Sequence, residues 1–218
     1  MIVVDVECTG LNPRRHSLLS IGAVDYGCPE RIFYGECRAF PGAEVNDEAL
    51  RIAGFSQSEA FDLHKPALEI LIAQFFEWAD GCSERTLAGQ NPDFDRDFLR
   101  ASAERFNLQW DYGHRVVDLH SLAYGHQLSR GISSPRNVLS ALGSDQIYHY
   151  VGLPEEPRPH NALTGASMEA EAFSRLLFGR TLLQQFLQFP VPSHLAQPRN
   201  NQLERKTPTA LPRDREEN

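Results

Sequence analysis

No stretch of the 218-residue sequence approaches the run of about eighteen apolar residues that spans a bilayer, so no membrane segment is expected. Cysteine is scarce: Cys8, Cys28, Cys37 and Cys82 are the only four, and none stands in C-x-x-C spacing. That excludes zinc ribbons and redox motifs and reads as reduced thiols. A basic flank before Met1-Ile2-Val3-Val4 is missing too, and acidic residues follow at once. This argues against a signal peptide and for a cytoplasmic protein. Positive charge is in deficit, with 21 Lys and Arg against 29 Asp and Glu and a formal net charge of −8. A general nucleic-acid coat is normally basic and is excluded. An enzyme that holds cations in a carboxylate cluster, and grips phosphates through them, is not. Internal repeats are absent.

What is present suits one sizeable α/β core. Ile2 to Val6 reads as a buried strand. Leu18 to Val24 and Arg31 to Phe40 read as two more, linked through the turn-like Tyr26-Gly27-Cys28-Pro29. Short links imply an antiparallel meander. Asn46 is placed to cap a short helix from Asp47, and Pro66 to Ala79 carries Leu68, Leu71, Ile72, Phe75 and Phe76 on one helical face. Strand and helix then alternate: a strand at Thr86 to Gly89, a helix through Phe94 and Phe98, a strand at Arg115 to Val117, and a helix from Leu119. Ser144 is read as the cap of a helix that Gly152 ends, and a last long helix as running from Leu163 to Phe189, where Pro190 stops it. The expected fold is a mixed sheet, an antiparallel meander plus parallel strands, flanked by helices. Residues 1–189 form the expected domain. Residues 190–218, with five of the fourteen prolines and few large apolar side chains, form a polar tail that could recruit a protein partner.

Chemistry begins at Asp5-Val6-Glu7. Strand side chains alternate, so the two carboxylates share a face, where like charges resist joint ionisation unless a cation neutralises them. Oxygen-only ligation suits Mg²⁺ or Mn²⁺ rather than zinc. Taken alone, the pair could equally be two acids at a solvated strand end. The surrounding run Asp5-Val6-Glu7-Cys8-Thr9-Gly10-Leu11 is followed far downstream by Asn91-Pro92-Asp93-Phe94-Asp95-Arg96-Asp97-Phe98-Leu99, and then by Pro159-His160-Asn161-Ala162-Leu163.

Together these three segments, spread over residues 2 to about 178, resemble the exonuclease motifs of the DnaQ-like 3′→5′ exonucleases in their histidine-bearing (DEDDh) branch. Cys8 stands for one motif threonine and Gln90 for the histidine of the second motif. The resemblance implies a ribonuclease-H-like fold, two Mg²⁺ or Mn²⁺ ions, and release of nucleoside monophosphates from single-stranded DNA or RNA 3′ ends. It makes Asp5 the bridging ligand, Glu7 a ligand of one ion, Asp95 a support of the other, and His160 the general base. It also implies contacts to the terminal nucleotide from Thr9, Gly10 and Leu11, a wedge from Leu50 and Phe55, and a contact from Asn91. Leu50 and Phe55 could equally be core residues of a short helix. Asp118 could line the site or cap the next helix.

One position departs from the branch. Five residues after the histidine the family carries an aspartate that ligates the nucleophile-side metal, and here that residue is Gly165. Three readings stay open. Glu169, one turn later on the same face, could reach back toward the missing ligand, because helical side chains lean toward the N-terminus; otherwise it is an exposed helix-surface acid. Gly165 could be an introduced, inactivating substitution. Or the chain is a catalytically impaired module that binds ends without cutting them.

Overall fold

A computed structural model of the chain describes residues 1–133, 136–137 and 139–195. Its centre is β1 (Ile2–Cys8), in which every residue is buried except Asp5. β2 (Leu18–Asp25) pairs antiparallel with β1, and β3 (Ile32–Glu36) antiparallel with β2. β4 (Leu87–Gly89) runs parallel to β1, and β5 (Val116–Asp118) parallel to β4, giving the order β3-β2-β1-β4-β5. The mixed sheet is the one expected. β3 is shorter than the sequence suggested, because the backbone beyond Cys37 finds partners outside the sheet: Arg38 N–H donates to Pro66 O and Ala39 N–H to Ala60 O.

α1 (Asp47–Ala53) begins at Asn46, whose side chain accepts from the Glu48 and Ala49 N–H groups. α2 (Gln57–Ala60) and α3 (Leu68–Asp80) follow, then α4 (Pro92–Arg105) after β4 and α5 (Leu119–Ser129) after β5. A two-stranded ribbon, β6 (Arg136–Asn137) and β7 (Leu139–Ser140), was not foreseen. α6 (Ser144–Val151) starts one residue earlier than expected: Gly143 is the cap, its N–H bonded to the Gln146 side chain, and Ser144 is already helical.

α7 (Ala162–Phe178) corrects the longest helix. It stops at Gly179, in the left-handed conformation (φ 61°), rather than continuing to Phe189. The apolar residues beyond it fold back instead of extending the helix. Glu171 accepts from the Leu182 and Leu183 N–H groups, and Arg175 donates to the carbonyls of Phe186 and Phe189. Leu195 is buried against the same core, so the described start of the polar tail packs on the body; the tail from residue 196 lies outside the described residues.

The alternation of β1 divides the core. Ile2, Val4, Val6 and Cys8 pack with Leu71, Ile72, Phe75, Phe98 and Leu99 of α3 and α4, while Val3 joins the cluster of α5, α6 and α7. Asp5 and Glu7 share the Val3 face and so lie toward α7. Gly22, the register partner of Asp5, makes the approach of this helix possible: a Cβ there would stand 2.1 Å from the Ala162 carbonyl carbon. The first turn of α7 therefore lies directly over the middle of β1.

Candidate metal and catalytic site

Four elements converge beside the C-terminal half of β1. The strand contributes Asp5 and Glu7. Asp95, in the first turn of α4, is 4% exposed and reaches β1, its Oδ1 accepting from the Val6 N–H at 3.1 Å. His160 is fixed by its own N–H, which donates to Ile52 O at 2.8 Å. Asn161 caps α7 through its Oδ1, while its Nδ2 donates to the Tyr34 hydroxyl. The histidine is thus pinned between α1 and α7, with its side chain 26% exposed.

Two further acids complete the cluster. Glu169 is 5% exposed, which overturns the reading of it as an exposed helix-surface acid. α7 is sandwiched between the sheet and α5 and α6, and all its residues from Gly165 to Leu176 are buried. Glu156 was missed in the sequence. It lies in the irregular segment after α6, its side chain is only 8% exposed, and its Oε2 stands 3.7 Å from His160 Nδ1. One oxygen of each, Glu156 Oε1 and Glu169 Oε2, is buried without a hydrogen-bond partner.

The electrostatics follow from this crowding. Burial raises the Asp5 carboxyl well above the usual carboxylate range, and Glu169, Asp95, Glu7 and Glu156 add repulsion. Glu169 is raised likewise by burial and then by Asp95. Burial pushes Glu7 to about 7, with Glu156 adding to it, and pushes Glu156 to about 7, with Asp145 adding to it. Asp95 rises to about 8 by burial, against hydrogen bonds from its own N–H and that of Val6. His160 is shifted down by burial and by Arg158, which favours its neutral form. Carboxylates driven this far toward protonation are the sites where a cation gains most. Among the described residues no three His, Cys, Asp or Glu side chains stand close enough to share one ion.

The remaining candidates divide by position. Glu7, His160 and Asn161 line one cleft with Gly54, Phe55 and Lys65, and the Lys65 ammonium lies 4.4 Å from the Phe55 ring centre. Leu50 is buried in the core with Leu19, Ala39 and Ala60, leaving the half-buried Phe55 as the apolar side chain of that pair beside the cleft. Leu11 is 81% exposed. Thr9 is fully buried, its hydroxyl donating to Glu44 O and accepting from the Ser17 N–H. Gly10 lies against the His16 ring, where a Cβ would clash. Asn91 sits exposed at the start of α4 with φ 57°. Asp118 caps α5, accepting from the His120 and Ser121 N–H groups, and it also receives the Asn91 N–H.

The exonuclease family model matches residues 2–173. Ribonuclease T of Hahella chejuensis is 32% identical over 142 residues, covering 57% of this chain and 65% of that protein. Ribonuclease T of Salmonella typhimurium is 28% identical over 151 residues, covering 64% and 68%. The matched part thus spans about two thirds of these curated relatives. Among solved structures, E. coli exonuclease I in complex with a dA16 oligonucleotide superposes with a TM-score of 0.65 at 18% identity, over 82% of this chain and 40% of that one. Cell-death related nuclease 4 gives 0.65 at 14% identity, over 83% and 64%. The family match runs from β1 well into α7, and the solved structures share the overall fold. The chain therefore belongs to the exonuclease family, with the DnaQ-like, ribonuclease-H-like fold.

Proposed function

We propose that this chain is a divalent-cation-dependent 3′→5′ exonuclease that releases nucleoside monophosphates from single-stranded DNA or RNA. The observation that carries this reading is the clustering of Asp5, Glu7 and Asp95 on and against β1, beside the cleft that Glu7 and His160 line, with buried carboxylate oxygens of Glu156 and Glu169 left unpartnered. An all-oxygen donor set fits Mg²⁺ or Mn²⁺, and the orphaned oxygens of Glu156 and Glu169 fit a site completed by cations. Asp5, Glu7 and Asp95 would hold them, with Glu169 close by. When bound, a pair of such ions stabilises the attacking and leaving oxygens of an in-line displacement at phosphorus.

The protein's own groups do the rest. Neutral His160 accepts the proton of the attacking water, a role that its downward-shifted affinity for protons permits near neutral pH. Phe55 offers an apolar face to the terminal base, a contact indifferent to sequence. Lys65 stands beside it with a charge suited to a phosphate, although it is now paired with Glu36 at 2.7 Å. The four unpaired cysteines support a reducing, cytoplasmic setting, and none of the described helices is long and apolar enough to cross a membrane. The composition after Pro190 supports recruitment by a protein partner, which truncation after Leu195 would abolish while leaving the basal rate intact.

A second reading rests on Gly165: an end-binding module that lacks a ligand and does not cut. Both are tested with 5′-labelled ribo- and deoxyribo-oligomers in Mg²⁺ or Mn²⁺. The first reading expects shortening from the 3′ end, and Asp5→Asn should slow it about a thousandfold or more with the far-UV spectrum unchanged. Tight binding without shortening in either metal would sink it in favour of the second.

A further inference from the structure

Gly165 leaves the first turn of α7 without the carboxylate that its family resemblance leads one to expect, and the structure shows what stands in that space. A Cβ built at 165 would meet Asp5 Oδ2 at 2.0 Å, Asp5 Cγ at 2.9 Å and Glu156 Oε1 at 3.4 Å. Apart from its chain neighbours and the backbone of α7 itself, these are the three nearest atoms to that point. Glu156 Oε1 is also one of the buried oxygens with no partner, although its side chain is 8% exposed. A carboxylate oxygen in that state points to a missing positive ligand, because a buried polar group left unpaired is costly.

The two acids that could substitute lie on different sides of Asp5. Glu169 sits under the end of β4: its Oε2 is 3.1 Å from the place of a Cβ on Gly89. That is the Asp95 side. Glu156 sits on the side of Glu7 and His160. Its segment is anchored by the Glu156 N–H donating to Asp145 Oδ1 at the start of α6. The Glu156–His160 separation of 3.7 Å is too long for a hydrogen bond, and the other Glu156 oxygen is aimed at Gly165 instead.

We propose that Glu156, from the segment leading into His160, is a relocated acidic ligand that takes the place of the side chain absent at Gly165, on the His160 side of the cation site. This rests on the reading of the cleft as a cation-dependent nuclease site. What a cation senses is the position of an oxygen, not the element that carries it, so a loop glutamate can serve where a helix aspartate is missing. Gly165 and Glu156 then form one arrangement. The glycine clears the room in which the Asp5 and Glu156 carboxylates meet.

The test is binding of Mn²⁺ alone to the full chain, measured by calorimetry and by the paramagnetic resonance signal of free Mn²⁺. Glu156→Gln should weaken Mn²⁺ binding roughly tenfold to a hundredfold. Gly165→Asp added to Glu156→Gln should restore most of that loss by returning a carboxylate to the helix. Gly165→Asp alone should bring no gain in affinity or rate, because the place is taken. If Glu156→Gln binds Mn²⁺ as the parent does while Asp5→Asn does not, the relocated ligand is wrong and the nuclease reading stands. A changed pH–rate profile with unchanged Mn²⁺ binding would make Glu156 a partner of His160 and also overturn it. If Asp5→Asn binds Mn²⁺ unchanged as well, the cleft is not a cation site and both readings fall. A gain of about tenfold in affinity from Gly165→Asp alone would show the place vacant and reject the proposal, even should Glu156→Gln fail to fold.

Discussion

In the second half of α7, Glu171 and Arg175 are fully buried, and every charged atom of the pair is used. Arg175 Nε donates to Glu171 Oε1 at 2.7 Å, and its two terminal nitrogens donate to the carbonyls of Val151, Gly152, Phe186 and Phe189. Glu171 Oε2 accepts from Leu182 and Leu183. Two residues earlier on the same helix, Glu169 is equally deep, yet its Oε2 has no partner and its nearest charged neighbours are acids. One helix thus buries charge in two ways. The satisfied pair ties the chain after Gly179 back onto the core, whereas the unsatisfied acids destabilise the metal-free fold and are poised for something positive.

That contrast is broken most directly by removing one group from each half. Arg175→Met leaves Glu171 buried without its counter-charge and four carbonyls without a donor, and should lower unfolding stability by about 3–5 kcal/mol. Glu169→Gln, measured beside it by urea titration in EDTA, removes a repelled charge and should leave stability unchanged or higher. Equal losses from both variants would mean that the two halves do not differ in kind.

The legible and illegible parts of the molecule have separate physical origins. β1 could be read because an apolar run ending in Asp-x-Glu has only one face for its acids, and the meander because its strands are joined by short turns. Asp95 and His160 were found by motif spacing. Glu156 was not, because an irregular segment has no periodicity that assigns its side chains a direction. The burial of Glu169 depends on α5 and α6 closing over α7, a tertiary fact. The end of α7 was missed for a related reason: Leu182, Leu183, Phe186 and Phe189 prolong the apolar pattern, and the buried Arg175 that gathers their carbonyls is invisible to it. Gly179 was the available stop signal.

A smaller effect should separate the halves by pH. In the metal-free protein Glu7 and Glu156 rise to about 7, and Asp95 to about 8, from ordinary values of 4.5, 4.5 and 3.8. Raised carboxyls bind more protons folded than unfolded, so these groups make unfolding easier as pH rises from about 4.5 to about 8, after which their effect is constant. In EDTA the melting temperature should fall across that window, and Asp95→Asn should flatten the fall. Mn²⁺ at pH 8 should reverse it. A parent profile that Asp95→Asn leaves unaltered would show that the acids are not held in this state.

The mildest test uses the two glycines of α7. Gly179 ends the helix with φ 61°, its N–H donating to Arg175 O, so Gly179→Ala forces a left-handed alanine and should cost about 1–2 kcal/mol. It touches nothing in the cleft, and the nuclease rate should stay at the parent level. Gly165→Ala behaves in reverse. Its backbone is helical, where alanine is favoured over glycine by about 1 kcal/mol. Its methyl, however, falls 2.0 Å from Asp5 Oδ2, so the Asp5 carboxylate must turn away. Stability near the parent value with a rate lowered roughly tenfold is the expected result, since a displacement of about 1 Å at reacting groups is enough to lose that much. A Gly165→Ala variant with both rate and stability intact would place Asp5 differently from the position described above, and with it the space assigned to Glu156.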